Sequence, residues 1–408
     1  MGRPRRTHLY HRYDMITGNY QCSMDITSIT QAGLLLDSID HWADKKHIYK
    51  SFWSREKRSN YFKSKIEKNI NIINSEPDKI KQSLNYDFDI KSELLKKPQS
   101  LTNLVKKHNT IPEIVLSKID LLKKENYNVI EKDNIYYIDK TLKEGGISTL
   151  NMSMWKGDKL KIGFTSDNHL CSHHERLDVL NLLYDIFEGE GISTVFNAGN
   201  WIDGEARFNK NEIHTKGLTK QIEYAVREYP YRKGIKTKFI AGDDHEGWYT
   251  IREGVNIGEY FQMKRELAGL SDLEYLGYME ADIELTEGGF DNNSWLRIAH
   301  PGGGSAYATS YTSQKIVESY QGGEKPAVLL LGHFHKLDYA YPREVHVVQT
   351  GCTMDQSTFM RKKRIAAHLG GGIIELNRAK DGTINRCKVE FITAFDKKFY
   401  IGKDKYLR

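Results

Sequence analysis

Five short clusters carry the side chains able to do chemistry: Asp167-Asn168-His169, Asn200 to Asp203, Asp243-Asp244-His245-Glu246, His300, and His333-Phe334-His335. Carboxylates, an amide and imidazoles in this mixture suit divalent ions of the Mn, Fe, Zn or Ni class and hold too much nitrogen for calcium. Asp167 and His169 stand two residues apart, as do His333 and His335, so extended backbone points both side chains of each pair the same way. One such pair alone is usually a turn or a surface pair. Five clusters in succession are harder to obtain by accident.

The elements that must position them are equally plain. KLKIGFTSD, GISTVFNAGN, KTKFIAGDD, WLRIAHPGG and AVLLLGHFH each run from apolar residues into one of the clusters, and each reads as a buried strand ending in a loop. Between the early ones lies a helical segment, HERLDVLNLLYDIF. The expectation is an α/β fold, a layered β-sandwich flanked by helices, with the five loop tips delivered to one rim of one β-layer. GGGIIELNRA and RCKVEFITAF, around Asp381-Gly382, read as a closing hairpin.

The series resembles the calcineurin-like metallophosphoesterase superfamily, whose pattern is DxH, GDxxD, GNHD/E, H and GHxH, from about residue 159 to 350 or 395. With the N-terminal module described below, it is most similar to SbcD-type DNA nucleases. The resemblance implies two divalent cations, manganese first, with Fe, Zn, Ni and Mg as alternatives. Asp167, His169 and His335 would hold one, and Asp244, His300 and His333 the other, with Asn200 between them. It further implies attack of a metal-activated hydroxide on phosphorus, His245 as proton donor to the leaving oxygen, and Asp203 orienting a ligand through a hydrogen bond.

One departure is informative. Asn200 stands where the family has a bridging Asp, and Asp244 (Asp243 if the loop carries an insertion) where it has Asn. The exchange either preserves a working site, weakens one metal position, or reflects an engineered Asn200. Phosphatase or cyclic-nucleotide phosphodiesterase chemistry is the alternative enzyme reading. A DNA-binding scaffold with an idle phosphoesterase domain is the non-enzymatic one.

Ahead of this domain the texture changes. Ser100 can cap a short helix and Thr110 a second with Pro112 in its first turn, followed by two β runs around Asp133-Asn134. Helix, turn, helix, hairpin resembles a winged helix-turn-helix, which would place Lys118, Lys123 and Lys124 against DNA. Residues 1–150 hold 26 Lys+Arg against 19 Asp+Glu and the remainder 34 against 35, so the positive excess is all N-terminal. That distribution fits attraction to a phosphate backbone, and DNA is the expected partner. Within it, Tyr61, Phe62, Ile66, Ile70 and Ile73 recur at helical spacing.

The boundaries read as a basic helical region at 1–95, a winged-helix-like module at 96–145, a metallophosphoesterase domain at 150–395 and a tail at 396–408. Hydrophobic residues at 39% and charged residues at 28% exclude wholesale disorder, and no apolar run approaches the roughly 20 residues of a membrane span. Four dispersed cysteines argue against a disulfide framework. The expected setting is bacterial or phage-infected cytosol, without a membrane, with a homo-oligomer as a possible state.

Overall fold

The structure is a computed structural model and describes residues 86–141, 155–243, 245–286, 292, 294–304 and 308–394, with short strands at 11–13, 20–22 and 147–149 as backbone. The chain divides into two units, Met1–Phe88 with Lys106–Ile111, and Asp89–Val105 with Pro112–Arg408. In the first, β1 (His11–Tyr13) and β2 (Tyr20–Cys22) pair antiparallel. The helix expected around residues 61–73 and the tail 396–408 lie outside the described residues.

The second unit opens with α1 (Ile90–Lys96), capped by the Asp89 carboxylate accepting from the Ser92 amide at 3.1 Å. Then come β3 (Gln99–Ser100), α2 (Leu101–His108, whose last three residues are counted with the first unit), α3 (Pro112–Lys124), and the hairpin β4 (Val129–Lys132) and β5 (Ile135–Ile138). The Ser100 hydroxyl accepts from Asn103 N at 3.2 Å and caps α2 as the sequence predicts. The Thr110 hydroxyl has no partner among the described residues, so the expected second cap is not made. Asp133 and Asn134 both take positive φ, 53° and 58°, which a tight hairpin turn requires. β3 completes an antiparallel sheet in the order β3-β5-β4.

Two six-stranded sheets follow. The first runs β10 (Leu273–Tyr278), β9 (Lys236–Ala241), β8 (Thr194–Asn197), β7 (Lys159–Thr165), β16 (Gly370–Arg378), β17 (Ile384–Thr393), parallel from β10 to β7. The closing hairpin β16–β17 returns antiparallel, Gly370 opposite Thr393. The second runs β14 (Leu337–Ala340), β15 (His346–Thr350), β13 (Val328–Leu331), β12 (Trp295–Ala299), β11 (Glu280–Glu284), β6 (Ile147–Thr149).

Alternation explains the layering. Leu160, Ile162 and Phe164 of β7 turn one way and meet Ile283, Leu296, Ile298, Val328 and Leu330 of the second sheet in one core. The opposite face of the second sheet (Ala299, Leu329, Leu331, Val347) buries Val317 of α8 (Thr309–Ser319). On the first sheet α4 (Leu177–Gly189) buries Val179, Leu180, Leu183, Tyr184 and Phe187, a helical stripe of one face. The helices α5 (Leu218–Glu228), α6 (Gly247–Glu253) and α7 (Ile257–Leu267) complete the early crossovers, and α9 (Thr358–Lys363) follows β15.

The five expected strands are therefore present but do not share one sheet. β7, β8 and β9 belong to the first and β12 and β13 to the second. Because β16 enters antiparallel beside β7, the first sheet is mixed, and the rim is built where the two sheets face each other. The hairpin module is fixed to this sandwich near α6: Asn128 N donates to Gly254 O at 2.8 Å, and Glu253 accepts from Lys91 Nζ at 3.0 Å and the Tyr127 hydroxyl at 3.1 Å. No helix among the described residues is long and apolar enough to cross a membrane.

Candidate metal centre

Three of the five loops, those after β7, β8 and β13, leave their strands through left-handed backbone. Asp167, His169, Asn200, His333 and His335 have φ of 48°, 48°, 53°, 79° and 54°. Side chains with a Cβ occupy this region at a cost of about 1–2 kcal/mol each, and Asp, Asn and His tolerate it best. Such strain gathers where geometry serves function. Two glycines are required nearby: a Cβ on Gly332 would stand 2.3 Å from Ala198 O and 2.7 Å from the His300 ring, and one on Gly199 2.8 Å from that ring.

Buried polar latches hold the loops together. Asn197 donates to Asn168 Oδ1 at 2.6 Å, and Asn168 Nδ2 donates to the Thr353 hydroxyl at 3.0 Å. The Glu246 carboxylate accepts from Asn200 N and Gly242 N, both at 2.7 Å, tying the β8 loop to the β9 loop. Neither Asn168 nor Glu246 is given a role by the sequence; a polar residue at the close of a strand is the signal that marks them. Burial pushes the Glu246 carboxyl up to about 7, while these amides oppose the shift.

The imidazoles are oriented from behind. His300 Nδ1 donates to Ala198 O at 2.6 Å, His169 Nδ1 to Asp203 Oδ1 at 2.9 Å, and His333 Nε2 to Gly303 O at 2.7 Å. Each bond puts the hydrogen on the outward nitrogen and leaves a lone pair facing in. His169 Nε2 stands 3.2 Å from His335 Nε2, and these atoms lie 3.7 and 3.3 Å from Asp167 Oδ1. Two ligands on one tetrahedral Zn-like ion would be separated by about 3.3 Å. His300 Nε2 and His333 Nδ1 each lie 3.9 Å from Asp243 Oδ1, and His300 Nε2 also 3.9 Å from Asp167 Oδ1.

Nearly every inward atom is an acceptor. His300 Nε2 and Asn200 Oδ1 are buried without a hydrogen-bond partner among the described residues, as is His335 Nδ1 on the other side of the ring whose Nε2 faces Asp167. Burial drives His300 down to about 3 and keeps it neutral. At His169 burial acts the same way, but the hydrogen bonds and charges of Asp167 and Asp203 outweigh it and lift the group to about 9, so without metal its inward Nε2 carries a proton that a bound cation would displace. Asp167 would be raised by its complete burial, but His335 and His300 hold it well below the usual carboxylate range. The field favours positive charge at this point. Two groups of three, Asp167 with His169 and His335, and Asp243 with His300 and His333, bring ligand atoms within 4.8 Å of one another, so the residues present fit divalent cations.

Asp203 does more than orient one ring. Its Oδ1 also lies 3.1 Å from His245 Nδ1, and its carbonyl accepts from that nitrogen at 2.8 Å, so His169 and His245 share one anchor. His245 Nε2 is left for the cavity of about 420 Å³ that His245 lines with His169, Asn200, His333 and His335. Asp244 lies outside the described residues, and it is Asp243 that stands with His300 and His333. His173, His174 and His214 belong to neither ligand group, with His174 3.3 Å from Glu212 and His214 3.1 Å from Glu175. Lys123 and Lys124 are exposed at the end of α3 and Lys118, in the middle of that helix, is half-buried.

No protein-family model matches the chain, and no curated protein matches it. The chain is similar to solved structures of phosphoesterases and related proteins. An archaeal phosphodiesterase shares 14% identity over 57% of this chain and 100% of its own, with a TM-score of 0.31. Vps29 of Entamoeba histolytica, complexed with Zn²⁺, shares 13% over 57% and 99%, with a TM-score of 0.28. A 5'-nucleotidase precursor of Thermus thermophilus shares 13% over 58% and 54%, with a TM-score of 0.29.

Proposed function

We propose that this chain is a metal-dependent phosphodiesterase of the metallophosphoesterase kind, acting on DNA. The carrying observation is the inward set of lone pairs fixed by outward hydrogen bonds around buried Asp167. Asp167, His169 and His335 would hold one divalent ion, and Asp243, His300 and His333 a second, with Asn200 between them; manganese is the ion proposed. Bound there, the ions would supply Lewis acidity toward phosphate and lower the pKa of a coordinated water. The chain's own contribution is orientation and proton supply. Asp203 fixes Nδ1–H of His245, and Nε2–H of the protonated ring would be given to the leaving oxygen.

Two measurements test this: metal content of the purified protein, and Mn²⁺-dependent digestion of end-labelled DNA. Two transition ions per chain with cleavage support the reading. Intact single- and double-stranded DNA at high protein concentration overturns it. His245→Ala should slow DNA cleavage by about 10²–10⁴-fold. On bis(p-nitrophenyl) phosphate, whose leaving group needs no proton, the loss should be much smaller. Equal losses on both substrates would remove His245 from the acid role.

The hairpin module is proposed to steady the duplex as a winged helix does. The exposed face of α3 carries Glu113 and Asp120 as well as Lys123 and Lys124, which confines phosphate contact to the last turn, with Lys118 behind it. Lys123→Ala with Lys124→Ala should weaken DNA binding uniformly across sequences. It should also flatten the dependence of log K on log[salt] by about 1–2. An unchanged slope would send the module to another partner.

A further inference from the structure

At the mouth of the metal cavity two phenylalanines are left in solvent. Phe208, in the loop after β8, is 49% exposed, and Phe359, in α9, is 43% exposed. Their ring centroids lie 5.7 Å apart at an interplanar angle of 38°, and the Phe208 ring meets His245 edge-on at 5.4 Å. Single exposed apolar residues are ordinary. Two aromatic rings side by side against the proposed acid of a phosphodiester site are a different matter.

Both rings are held in place. Asn209, beside Phe208, donates to Asp203 O at 2.6 Å, so the loop hangs from the same residue that orients His169 and His245. Glu212 of that loop accepts from Thr358 N at 3.2 Å, joining it to the start of α9. Ser357 caps α9 through Met360 N at 3.2 Å. Cations flank the pair. Lys363 lines the metal cavity, and Arg207 and Lys210, exposed on either side of Phe208 in sequence, line a second open cleft of about 480 Å³ reached from the same loop. That cleft also holds Trp248 with Arg252 4.2 Å over its ring, and its acidic members are engaged: Glu253 with Lys91, and Glu205 with Gly217 N at 2.9 Å.

We infer that Phe208 and Phe359 form a base-stacking platform for an unpaired nucleotide next to the scissile phosphate, with Arg207, Lys210 and Lys363 taking the flanking phosphates. This rests on the phosphodiesterase reading and narrows its substrate to a strand with unpaired bases at the site. Stacking tolerates every base, since each has a π-face, while the cations follow the backbone.

The test separates stacking from charge. With metal chelated, the full chain is titrated with a fluorescent oligothymidylate and with an abasic strand of equal length and charge. The base-bearing strand should bind about tenfold tighter. Phe208→Ala with Phe359→Ala should erase that preference, Phe208→Trp should keep it, and Tyr341→Ala, exposed elsewhere, should leave it unchanged. Both phenylalanines are half-exposed, so their truncation opens no buried cavity, and circular dichroism checks the fold. Equal affinity for the two strands, or a preference surviving the double substitution, overturns the platform. Hydrolysis of bis(p-nitrophenyl) phosphate by the unsubstituted protein reads the other question. A chain that prefers the base-bearing strand but hydrolyses no diester keeps the platform and loses the proposed reaction.

Discussion

Asp167→Asn should lower phosphodiester hydrolysis by on the order of 10³-fold or more and reduce bound metal to one ion per chain or none, because outer partners of ligands alone are worth about 10–100-fold. Asp167 is fully buried between the two ligand groups, within 3.3 to 3.9 Å of His335, His169 and His300. Its other oxygen accepts from His333 N at 2.9 Å and from the Ser166 hydroxyl, which aims the carboxylate across both positions. An amide keeps the size but loses the anionic charge facing three imidazoles. The measurement is paired: metal per chain by elemental analysis, and melting temperature with and without Mn²⁺. The parent protein should melt higher with Mn²⁺ by mass action, and the variant should show little of that rise. A variant that binds metal normally and cleaves normally would end the metal-centre interpretation.

How far this could be read from sequence depends on which bonds each residue makes. Asp167, His169, His300, His333 and His335 are legible as candidates because each follows an apolar run within four residues, which brings it to a strand end; the left-handed turns that aim all of these but His300 are not legible. The division of those strands between two sheets was not legible. A parallel strand buried on both faces reads the same in either layer, and β8 and β13 are buried at all four residues. The latches were hidden for a related reason. Glu246 reads as one more acid in a charged loop until its carboxylate is seen closing on Asn200 N and Gly242 N across two loops. The choice between Asp243 and Asp244 turns on one residue of loop register, which periodicity does not fix. The stacking pair is more distant still, with Phe208 and Phe359 about 150 positions apart in sequence and brought together by bonds of Asp203, Glu212 and Thr358.

Asn200 gives the sharpest thermodynamic contrast, because its substitution should change sign with metal. Asn200 is 2% exposed, its Nδ2 donates to Asp167 Oδ1 at 3.3 Å, and its Oδ1 has no partner among the described residues. Asn200→Asp removes the donor and sets a second carboxylate against Asp167. Without metal, an uncompensated buried contact of this kind costs about 1–3 kcal/mol, or roughly 2–4 °C of melting temperature per kcal/mol in a domain of this size. With divalent ions present, the same oxygen is an anionic ligand in place of a neutral amide, and each tenfold gain in affinity returns about 1.4 kcal/mol through binding. The metal-free variant should therefore melt below the parent and the Mn²⁺-saturated variant above it, which requires the dissociation constant for Mn²⁺ to fall by more than the roughly 5- to 150-fold that offsets the metal-free cost. Calorimetry on both proteins, with chelator and with Mn²⁺, follows the crossing directly. A variant less stable under both conditions would mean that the amide itself is required between Asp167 and the β9 loop, and that a carboxylate at 200 does not serve as a ligand.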